Sequence, residues 1–379
     1  MEDTQPLHLT ERERQWAATM GGYAPTAGLV VAHADSRASF TPRVNDLEAR
    51  TNAEALLLSP GATHGSGAGN RAIEEQPDEW RTCFERDRDR ILHAAAFRRL
   101  AGKTQVFVYP EDHQRTRLTH ALEVAQVATG IARALSLNVA LTEAIALGHD
   151  CGHGPGGHAS EDALNPYIDG GFNHAPWGAD VTLAPLNLCV ETLDGIRNHS
   201  WSRPAPMTPE GEVVSWADRI AYVCHDFEDA VGAGIVTPGQ LPALVVERCG
   251  TTRSRQLGTF VKAVVSTALR TGQIGMDPDT AEALAAFRQH NYEAIYLRDA
   301  AVAQATAVIE VLRALVEHFS DSPNVIPDVV ALGGLNAGEP LAVQAAVNYV
   351  AGMTDRFAFR SAISLLGWDA ARLPRAITG

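Results

Sequence analysis

The sequence predicts an all-α protein with an irregular N-terminal extension, and three observations support this fold class. From Trp80 onward, apolar residues recur at helical spacing among alanines and charged residues. No long stretch of the sequence alternates apolar and polar residues as a strand does, and none repeats at a fixed period. Before Trp80, the runs PTAGLVVAHADSRASFTP and SPGATHGSGAGNRA are rich in residues that favour irregular backbone. We therefore expect an extension at residues 1–79 and a helical domain at residues 80–379.

Five segments of the helical domain carry this prediction. The first, RTCFERDRDRILHAAAFRRLAGK, is predicted to form one or two helices. The second, RTRLTHALEVAQVATGIARAL, is predicted to be mostly buried because it has a single polar stripe, which consists of Thr119, Glu123, Gln126 and Arg133. In the third, VSWADRIAYVCHDFEDAV, an apolar face opposes a polar series formed by Asp218, Tyr222, Asp226 and Asp229. DAAVAQATAVIEVLRALVEHF and AVQAAVNYVAGMTDRFAFR are each predicted to form one amphipathic helix.

The composition narrows the classes of function. No stretch reaches the roughly 18 consecutive apolar residues of a membrane helix, and the N-terminus is polar and acidic where a signal peptide is basic and then apolar. The five cysteines are widely spaced without a C-x-x-C pair, so we expect neither a disulfide framework nor a thiolate zinc site, and a cytoplasmic location. A net charge of -14 argues against broad nucleic-acid binding. A basic segment at residues 81–117 leaves single-stranded nucleic acid undecided as a regulator.

The histidines are unevenly distributed. Five of the 14 lie within 55 residues: His120, His149, His153, His158 and His174. His120 shares a helical face with Val124 and Ile131, so its imidazole is expected to point into the protein, where an unpaired polar group costs about 1–3 kcal/mol. Its partner is either a metal ion or, as for most single buried histidines, a backbone carbonyl or a carboxylate.

The segment ALTEAIALGHDCGHGPGGHASED favours the metal. Its apolar helix is predicted to end at His149 and Asp150, where several glycines stop it and let backbone approach a ligand closely. An imidazole nitrogen and a carboxylate oxygen can converge on one cation, and the less favoured alternative is a helix C-cap whose histidine only complements the negative end of the helix dipole. A further acid is needed, and Asp218 is available on the polar face of its helix. A solvated acidic face is the alternative for that series, above all for Asp226 and Asp229.

Three separated sequence elements resemble a known family: Arg117-Leu-Thr-His120, His149-Asp150 and Trp216-Ala-Asp218-Arg-Ile-Ala-Tyr222. They are similar to the HD-domain superfamily, and specifically to its dGTPase-like branch of deoxynucleoside triphosphate triphosphohydrolases. The flanking segments strengthen the resemblance, which covers roughly residues 80–360. They are FERDRDRILHAAAFRRLAGKTQVF, LEVAQVATGIARAL, GGFNH, LNLCVETLDGIRNHSW and YVAGMTDRFA.

The resemblance implies the HD-domain helical fold and a set of functional residues. One divalent ion would be held by His120, His149, Asp150 and Asp218. The catalytic histidine and its acid would be His158 and Glu161, with His153 and His174 as further active-site histidines. Substrate contacts would fall to Gln105, Arg117, Tyr222 and Asp226. Mixed nitrogen and oxygen ligands suit Mn, Fe or Zn, with Mg a weaker candidate because it prefers oxygen ligands.

Two positions depart from the family pattern. The chain has Pro155-Gly156-Gly157-His158 where many relatives have Pro-Phe-Gly-His, so an aromatic side chain beside the catalytic histidine is missing. After His174, the chain reads Ala175-Pro-Trp-Gly178 instead of Asn-Glu-Gln-Ser. Neither departure affects a metal ligand, but both bear on which nucleotide is recognised.

The implied reaction is hydrolysis of dGTP or several dNTPs at the α-phosphate to deoxynucleoside and triphosphate. His158, kept protonated by Glu161, would be the general acid for the leaving 5′-oxygen. Two alternatives remain open at this level: an HD phosphohydrolase acting on another nucleotide phosphate ester, and a nucleotide-binding regulator without catalysis. Since relatives are often homo-oligomers, the resemblance also implies a homo-oligomer, without indicating its stoichiometry or an effector.

Overall fold

The protein is described from a computed structural model that covers residues 9–67, 69–110, 113–331 and 333–374. The chain forms two compact units, Met1–Asn45 and Asp46–Gly379. The first contains helix α1, Glu11–Ala18, and an antiparallel hairpin of β1, Tyr23–Thr26, and β2, Leu29–Val31. A reciprocal capping pair starts α1, since the Glu13 amide donates to Thr10 Oγ1 and the Thr10 amide donates to Glu13 Oε2.

In the described residues of the second unit, the regular secondary structure is helical apart from two isolated β-bridges, which confirms the all-α fold class. Its helices are α2, Leu47–Leu57; α3, Cys83–His93; α4, Ala95–Arg99; α5, Arg117–Ala134; α6, Val139–Gly148; α7, Ala159–Leu164; α8, His174–Trp177; α9, Val190–Asn198; α10, Pro209–Gly232; α11, Ala243–Cys249; α12, Arg253–Thr271; α13, Pro278–Asn291; α14, Asp299–Asp321; α15, Pro327–Ala331; α16, Pro340–Ala351; and α17, Asp355–Leu366. None of the described helices is both long and apolar enough to cross a membrane.

Two apolar clusters form the core of this unit. The larger one joins α3, α5, α6, α9 and α10 to α12 and α13, with Phe84, Ile131 and Phe260 fully buried in it. The smaller one joins α7 to α14, α16 and α17. Helix α5 is mostly buried, as its single polar stripe predicts. The first predicted segment forms two helices, α3 and α4, because the backbone of Ala94 between them is extended.

The prediction that the last segment forms a single helix is wrong. AVQAAVNYVAGMTDRFAFR is divided between α16 and α17. Gly352 caps the end of α16, and the Thr354 hydroxyl oxygen accepts a hydrogen bond from the Phe357 amide at the start of α17. An N-cap threonine inside an apolar pattern marks a new helix, and the periodicity alone does not reveal this break.

Residues 46–79 pack on the helical domain through buried polar contacts. The carboxylate of Glu210 on α10 accepts hydrogen bonds from the Thr63 amide and hydroxyl and from the Asn138 amide. Arg71 forms a buried ion pair with Asp87 of α3 at 2.6 Å. The compact units thus divide after Asn45, whereas the change of composition lies near residue 80. The division of domains at residue 80 stays a prediction.

Candidate metal centre

Three packed helices bring the four predicted metal ligands together. His120 lies in the first turn of α5, which starts at the N-cap Thr116. Helix α6 starts at the N-cap Asn138 and ends with His149 as its C-cap, so that Asp150 follows directly in the turn. Asp218 lies near the middle of α10. Because α5, α6 and α10 pack against one another, the side chains from three separated segments meet in one buried volume.

The donor atoms of these residues converge. His120 Nε2 lies 3.1 Å from Asp218 Oδ1 and 3.9 Å from Asp150 Oδ2. His149 Nε2 lies 3.5 Å from Asp150 Oδ2 and 3.8 Å from Asp218 Oδ1. Ligand atoms of His120, His149 and Asp150 all lie within 4.8 Å of one another. Atoms bound to one ion at about 2.0–2.2 Å are separated by comparable distances, so a modest contraction would place all four around a divalent cation.

The hydrogen bonds of His149 provide a test of this fit. Its Nδ1 donates to the carbonyl oxygen of Ala146 at 2.7 Å, which orients the ring so that Nε2 is the nitrogen directed into the site. Nε2 is buried and has no hydrogen-bond partner in the described part of the chain. A buried ring nitrogen without a partner, aimed at two carboxylates, is what a metal-ligating histidine presents.

The carboxylates of the site are ionised. Burial by itself raises the pKa of Asp150, but the charge of the Arg117 guanidinium outweighs burial and holds this pKa well below its usual range. Burial also raises the pKa of Asp218, but its hydrogen bond with His120 outweighs burial, so the net effect is a lowered pKa. Arg117 Nη1 lies 2.7 Å from Asp150 Oδ2, with both side chains buried. Arg117 therefore contacts the Asp of the His-Asp pair directly.

The other predicted active-site residues form a neighbouring cluster. The ring of His153 stacks on that of His174 with centroids 3.7 Å apart. Glu161 accepts hydrogen bonds from His174, from its amide at 3.0 Å and from Nδ1. His158 Nδ1 lies 3.9 Å from Glu161 Oε2, and 74% of the His158 side chain is exposed. Glu161 is thus bonded to His174, while His158 lies exposed at the rim of the cluster, with its ring against those of His153 and His174.

Glu161 and His153 differ in their charge states. Burial raises the pKa of Glu161, but contacts with His158 and His174 outweigh it and leave the carboxylate ionised. Burial, helped by the Arg117 charge, lowers the pKa of His153 well below its ordinary value, so its ring is neutral. Both ring nitrogens of His153 lack hydrogen-bond partners within the described ranges, although Nε2 approaches Asp150 Oδ1 to 3.2 Å.

One histidine of this site, His199, is not among the residues predicted from the sequence. It is the C-cap of α9 and is buried, and its Nδ1 donates to the carbonyl oxygen of Ile196 at 2.8 Å. Its ring meets that of His149 edge-on at 4.9 Å. Burial and the neighbouring imidazoles lower the pKa of His199 to about 3. The signal was present, since GIRNHS ends a helix with a histidine just as ALGHD does.

The polar face of α10 continues from Asp218 to two predicted substrate contacts. Tyr222 accepts a hydrogen bond from Arg288 Nε at 2.8 Å, and Tyr296 donates its hydroxyl hydrogen to Asp226. Tyr296 ends a short π-helical segment, Tyr292–Tyr296. Burial raises the pKa of Asp226 to about 7, against the hydrogen bond from Tyr296.

The alternative of a solvated acidic face on α10 is wrong. Asp226 and Asp229 are both buried. Arg115 forms an ion pair with Asp229, and Oδ1 of Asp226 has no hydrogen-bond partner among the residues that the structure describes. The buried Oε1 of Gln105, another predicted substrate contact, also lacks one there.

Glycines in the turn after Asp150 let other segments approach. A Cβ atom on Gly152 would lie 2.0 Å from the His174 carbonyl oxygen and 2.4 Å from the Gly178 nitrogen, so the absence of a side chain allows the His174 segment to reach the site. Gly156, which replaces the family aromatic, has φ +74°, and a Cβ atom there would lie 2.4 Å from Val308 Cγ1. Val308 of α14 thus occupies the space next to Gly156.

Comparison with known proteins agrees with the resemblance to the HD-domain superfamily. Residues 117–223 match the family model "HD domain", and residues 274–362 match "Phosphohydrolase-associated domain". The "Deoxyguanosinetriphosphate triphosphohydrolase-like protein" of Caldanaerobacter subterraneus subsp. tengcongensis is 42% identical over 313 residues, covering 80% of this chain and 91% of that protein. A protein of the same name from Clostridium perfringens is 39% identical over 322 residues, covering 81% and 93%.

These matches include α5, α6 and part of α10, which carry the predicted metal ligands, and the helices α14 and α16 of the smaller core cluster. Identity of this extent over nearly the full length of the relatives shows common ancestry. The chain is therefore an HD-domain hydrolase that belongs to the deoxyguanosinetriphosphate triphosphohydrolase-like family.

Proposed function

We propose that this protein hydrolyses a deoxynucleoside triphosphate, either dGTP or several dNTPs, at the α-phosphate to yield the deoxynucleoside and triphosphate. The observation that carries the proposal is the buried convergence of two imidazoles and two ionised carboxylates beside the polar face of α10. The names of the relatives, which refer to deoxyguanosine triphosphate, support the same class of substrate.

In this proposal, His120, His149, Asp150 and Asp218 hold one divalent ion. The orphaned Nε2 of His149 and the mixed nitrogen and oxygen donors fit Mn, Fe or Zn better than Mg. Such an ion, when bound, polarises a phosphoryl group and lowers the pKa of a water molecule. Arg117, held by Asp150 at 2.7 Å, adds positive charge beside the same volume for the phosphates.

The remaining site residues have assigned roles. His158 is the general acid that gives a proton to the leaving 5′-oxygen, since it stands exposed at the rim where a substrate can reach it. Glu161 stays ionised and fixes His174 in place, whose ring stacks on that of His153. Tyr222 and Asp226 lie one and two helical turns beyond Asp218 on the same face of α10, where they contact the deoxyribose.

The test is a product assay on metal-loaded protein with each of the four dNTPs and GTP. Inorganic triphosphate as the product supports the proposal; inorganic phosphate alone indicates action on another phosphate ester. Dissociable binding of a dNTP without turnover, with Mn, Fe, Zn, Mg and Co each tried, indicates a regulator.

Variants separate metal binding from proton transfer. Asp218→Ala should lose bound metal and activity together, whereas His158→Ala should keep the metal and lose turnover. His93→Gln is the matched control, because His93 is an exposed histidine at the end of α3 outside the site. Full activity in Asp218→Ala or His158→Ala would overturn the role assigned to that residue.

A further inference from the structure

Two of the five cysteines lie side by side although they are far apart in the sequence. Cys83 is the first residue of α3, and Cys189 is the N-cap of α9. Both are free thiols, and their side chains lie within hydrogen-bonding reach of each other. Gly69 packs against both, since a Cβ atom there would collide with Cys83 Sγ and lie 3.7 Å from Cys189 Sγ. The fold therefore creates a pair of sulfur atoms that the spacing of the cysteines in the sequence does not indicate.

Buried polar contacts hold the two backbones that carry these thiols. The carboxylate of Asp87, one helical turn after Cys83 on α3, accepts a hydrogen bond from the Cys189 amide at 2.8 Å. Arg71 forms a buried ion pair with Asp87 and donates to the carbonyl oxygen of Cys83 at 2.9 Å. Arg71 also pairs with Cys189 in an isolated antiparallel β-bridge. Because the same two charged residues bind both backbones, the thiols are held together in the folded protein.

The two thiols differ in acidity. The hydrogen bond between them lowers the pKa of Cys83, against the effect of burial. The same hydrogen bond raises the pKa of Cys189, and burial and the Asp87 charge add to this increase. The Arg71 cation and the Phe84 amide in the first turn of α3 further favour a Cys83 thiolate. Cys83 is thus the nucleophile of the pair, and Cys189 is the thiol that keeps its proton.

Of the two, Cys83 is the thiol that a small molecule can reach. It is partly exposed and lines a cavity of about 530 Å³ together with Arg81 and Arg86, whereas Cys189 is fully buried. A cavity of this size admits hydrogen peroxide or a small organic hydroperoxide. Burial raises the pKa of each of the three remaining cysteines, which are Cys151, Cys224 and Cys249. Buried thiols of raised pKa react slowly with oxidants, so oxidation should select Cys83.

We propose that Cys83 and Cys189 form a peroxide-reactive pair, in which Cys83 is oxidised first and Cys189 then closes a disulfide. The Cys83 thiolate attacks one peroxide oxygen and breaks the O–O bond, which gives a sulfenic acid, and the leaving oxygen takes up the proton that Cys83 released. The Cys189 sulfur then attacks the sulfenic sulfur, and its proton leaves with the displaced hydroxide as water. Two thiols and one peroxide thus yield one disulfide, one water and one alcohol, or a second water from hydrogen peroxide. This inference does not depend on the proposed function.

The test counts thiols in the full-length protein. Reduced protein, freed of the reductant, is treated with a few equivalents of hydrogen peroxide, and the remaining thiols are alkylated under denaturing conditions and counted by mass spectrometry. We expect a fall from five thiols to three that dithiothreitol reverses, with Cys83 and Cys189 joined in the peptide map. Five thiols after treatment would overturn the proposal. So would a disulfide between two chains, or Cys83 oxidised irreversibly without a link to Cys189.

Variants separate the two steps. In Cys189→Ala, Cys83 should stop at the sulfenic acid, which dimedone traps, whereas wild-type protein should give little dimedone adduct once the disulfide has formed. Cys249→Ala, which changes a buried cysteine at the end of α11, is the matched control and should still form the disulfide. Equal dimedone labelling of Cys83 in the wild type and in folded Cys189→Ala, with circular dichroism as the check on folding, would overturn the role of Cys189. The wild-type thiol count and peptide map decide on the pair even if a variant fails to fold.

Discussion

Asp226 should lower the stability of the protein at neutral and alkaline pH, and Asp226→Asn should remove this effect. The side chain is 4% exposed, and one of its oxygens has no hydrogen-bond partner in the described chain. Burial raises its pKa to about 7 from an ordinary value of 3.8. The folded protein therefore binds more protons than the unfolded chain between these two pH values, so its stability falls as pH rises through that window.

The magnitude follows from the pKa difference. Three pKa units at about 1.36 kcal/mol each mean that the ionised Asp226 lowers the free energy of unfolding by about 4 kcal/mol above pH 8. About 2 kcal/mol of this loss is already present at pH 5. The amide introduced by Asp226→Asn has no charge and can still accept the hydrogen bond from Tyr296. We therefore expect the stability of the variant relative to the wild type to increase by about 2–3 kcal/mol from pH 5 to pH 8.5.

The measurement is urea unfolding at several pH values in the presence of EDTA, because a nearby cation would favour the ionised carboxylate. Asp328→Asn, which alters an exposed acid at the start of α15, is the matched control and should show no such increase. A free-energy difference that stays constant with pH would refute the reasoning. A variant that is more stable but hydrolyses dNTPs poorly would indicate that the carboxylate is retained for function at the expense of stability.

Three further substitutions test the surroundings of the site. Gly152→Ala should destabilise the protein by about 3 kcal/mol in thermal or urea unfolding, because the new Cβ atom would overlap the His174 and Gly178 backbone. Gly130→Ala is the control, since nothing lies within 4 Å of its new Cβ atom, and it should be neutral or stabilise the protein by about 0.5–1 kcal/mol. Equal effects of the two substitutions would contradict the packing argument. Burial lowers the pKa of Lys103 to about 8, so between pH 8 and 10.5 the unfolded chain binds more protons than the folded protein and the stability of the wild type rises with pH. The stability of Lys103→Met relative to the wild type should therefore fall by up to about 3 kcal/mol over this range in urea unfolding. Parallel pH profiles of the two proteins would contradict this prediction. Thr354→Ala should reduce the free energy of unfolding by about 1 kcal/mol through loss of the α17 cap, whereas exposed Thr271→Ala should have a smaller effect.

The parts of the site that the sequence predicted are those determined by local pattern. His120 follows a helix start and faces apolar neighbours, and His149 with Asp150 ends an apolar helix before a glycine-rich turn. Asp218 lies on the polar face of a long amphipathic helix. Family resemblance then related these local signals to one another, and the structure brings the four side chains together. Their roles as metal ligands remain a prediction.

The parts that the sequence did not predict depend on contacts between distant segments. The bond between Glu161 and His174 arises because Gly152 lets the α8 segment pack against the turn, and no periodicity reveals such an approach. From the sequence, Asp229 is most simply explained as a solvated acid, because its ion-pair partner Arg115 lies 114 residues earlier in the chain. His199 lay within a recognised segment, but a single histidine at a helix end is usually explained as a cap, so it did not attract attention.

The carboxylate of Asp355 connects the C-terminal helices to the glycine-rich turn that follows the His-Asp pair. Its carboxylate accepts hydrogen bonds from the Gly156 amide in the turn after the His-Asp pair and from the Thr104 amide and hydroxyl in the loop before α5. The residue is the first of α17 and is buried. A displacement of α17 therefore pulls on both loops at once. Any event that moves the start of α17, including association with another molecule, would therefore shift the glycine-rich turn after Asp150 together with the loop before α5.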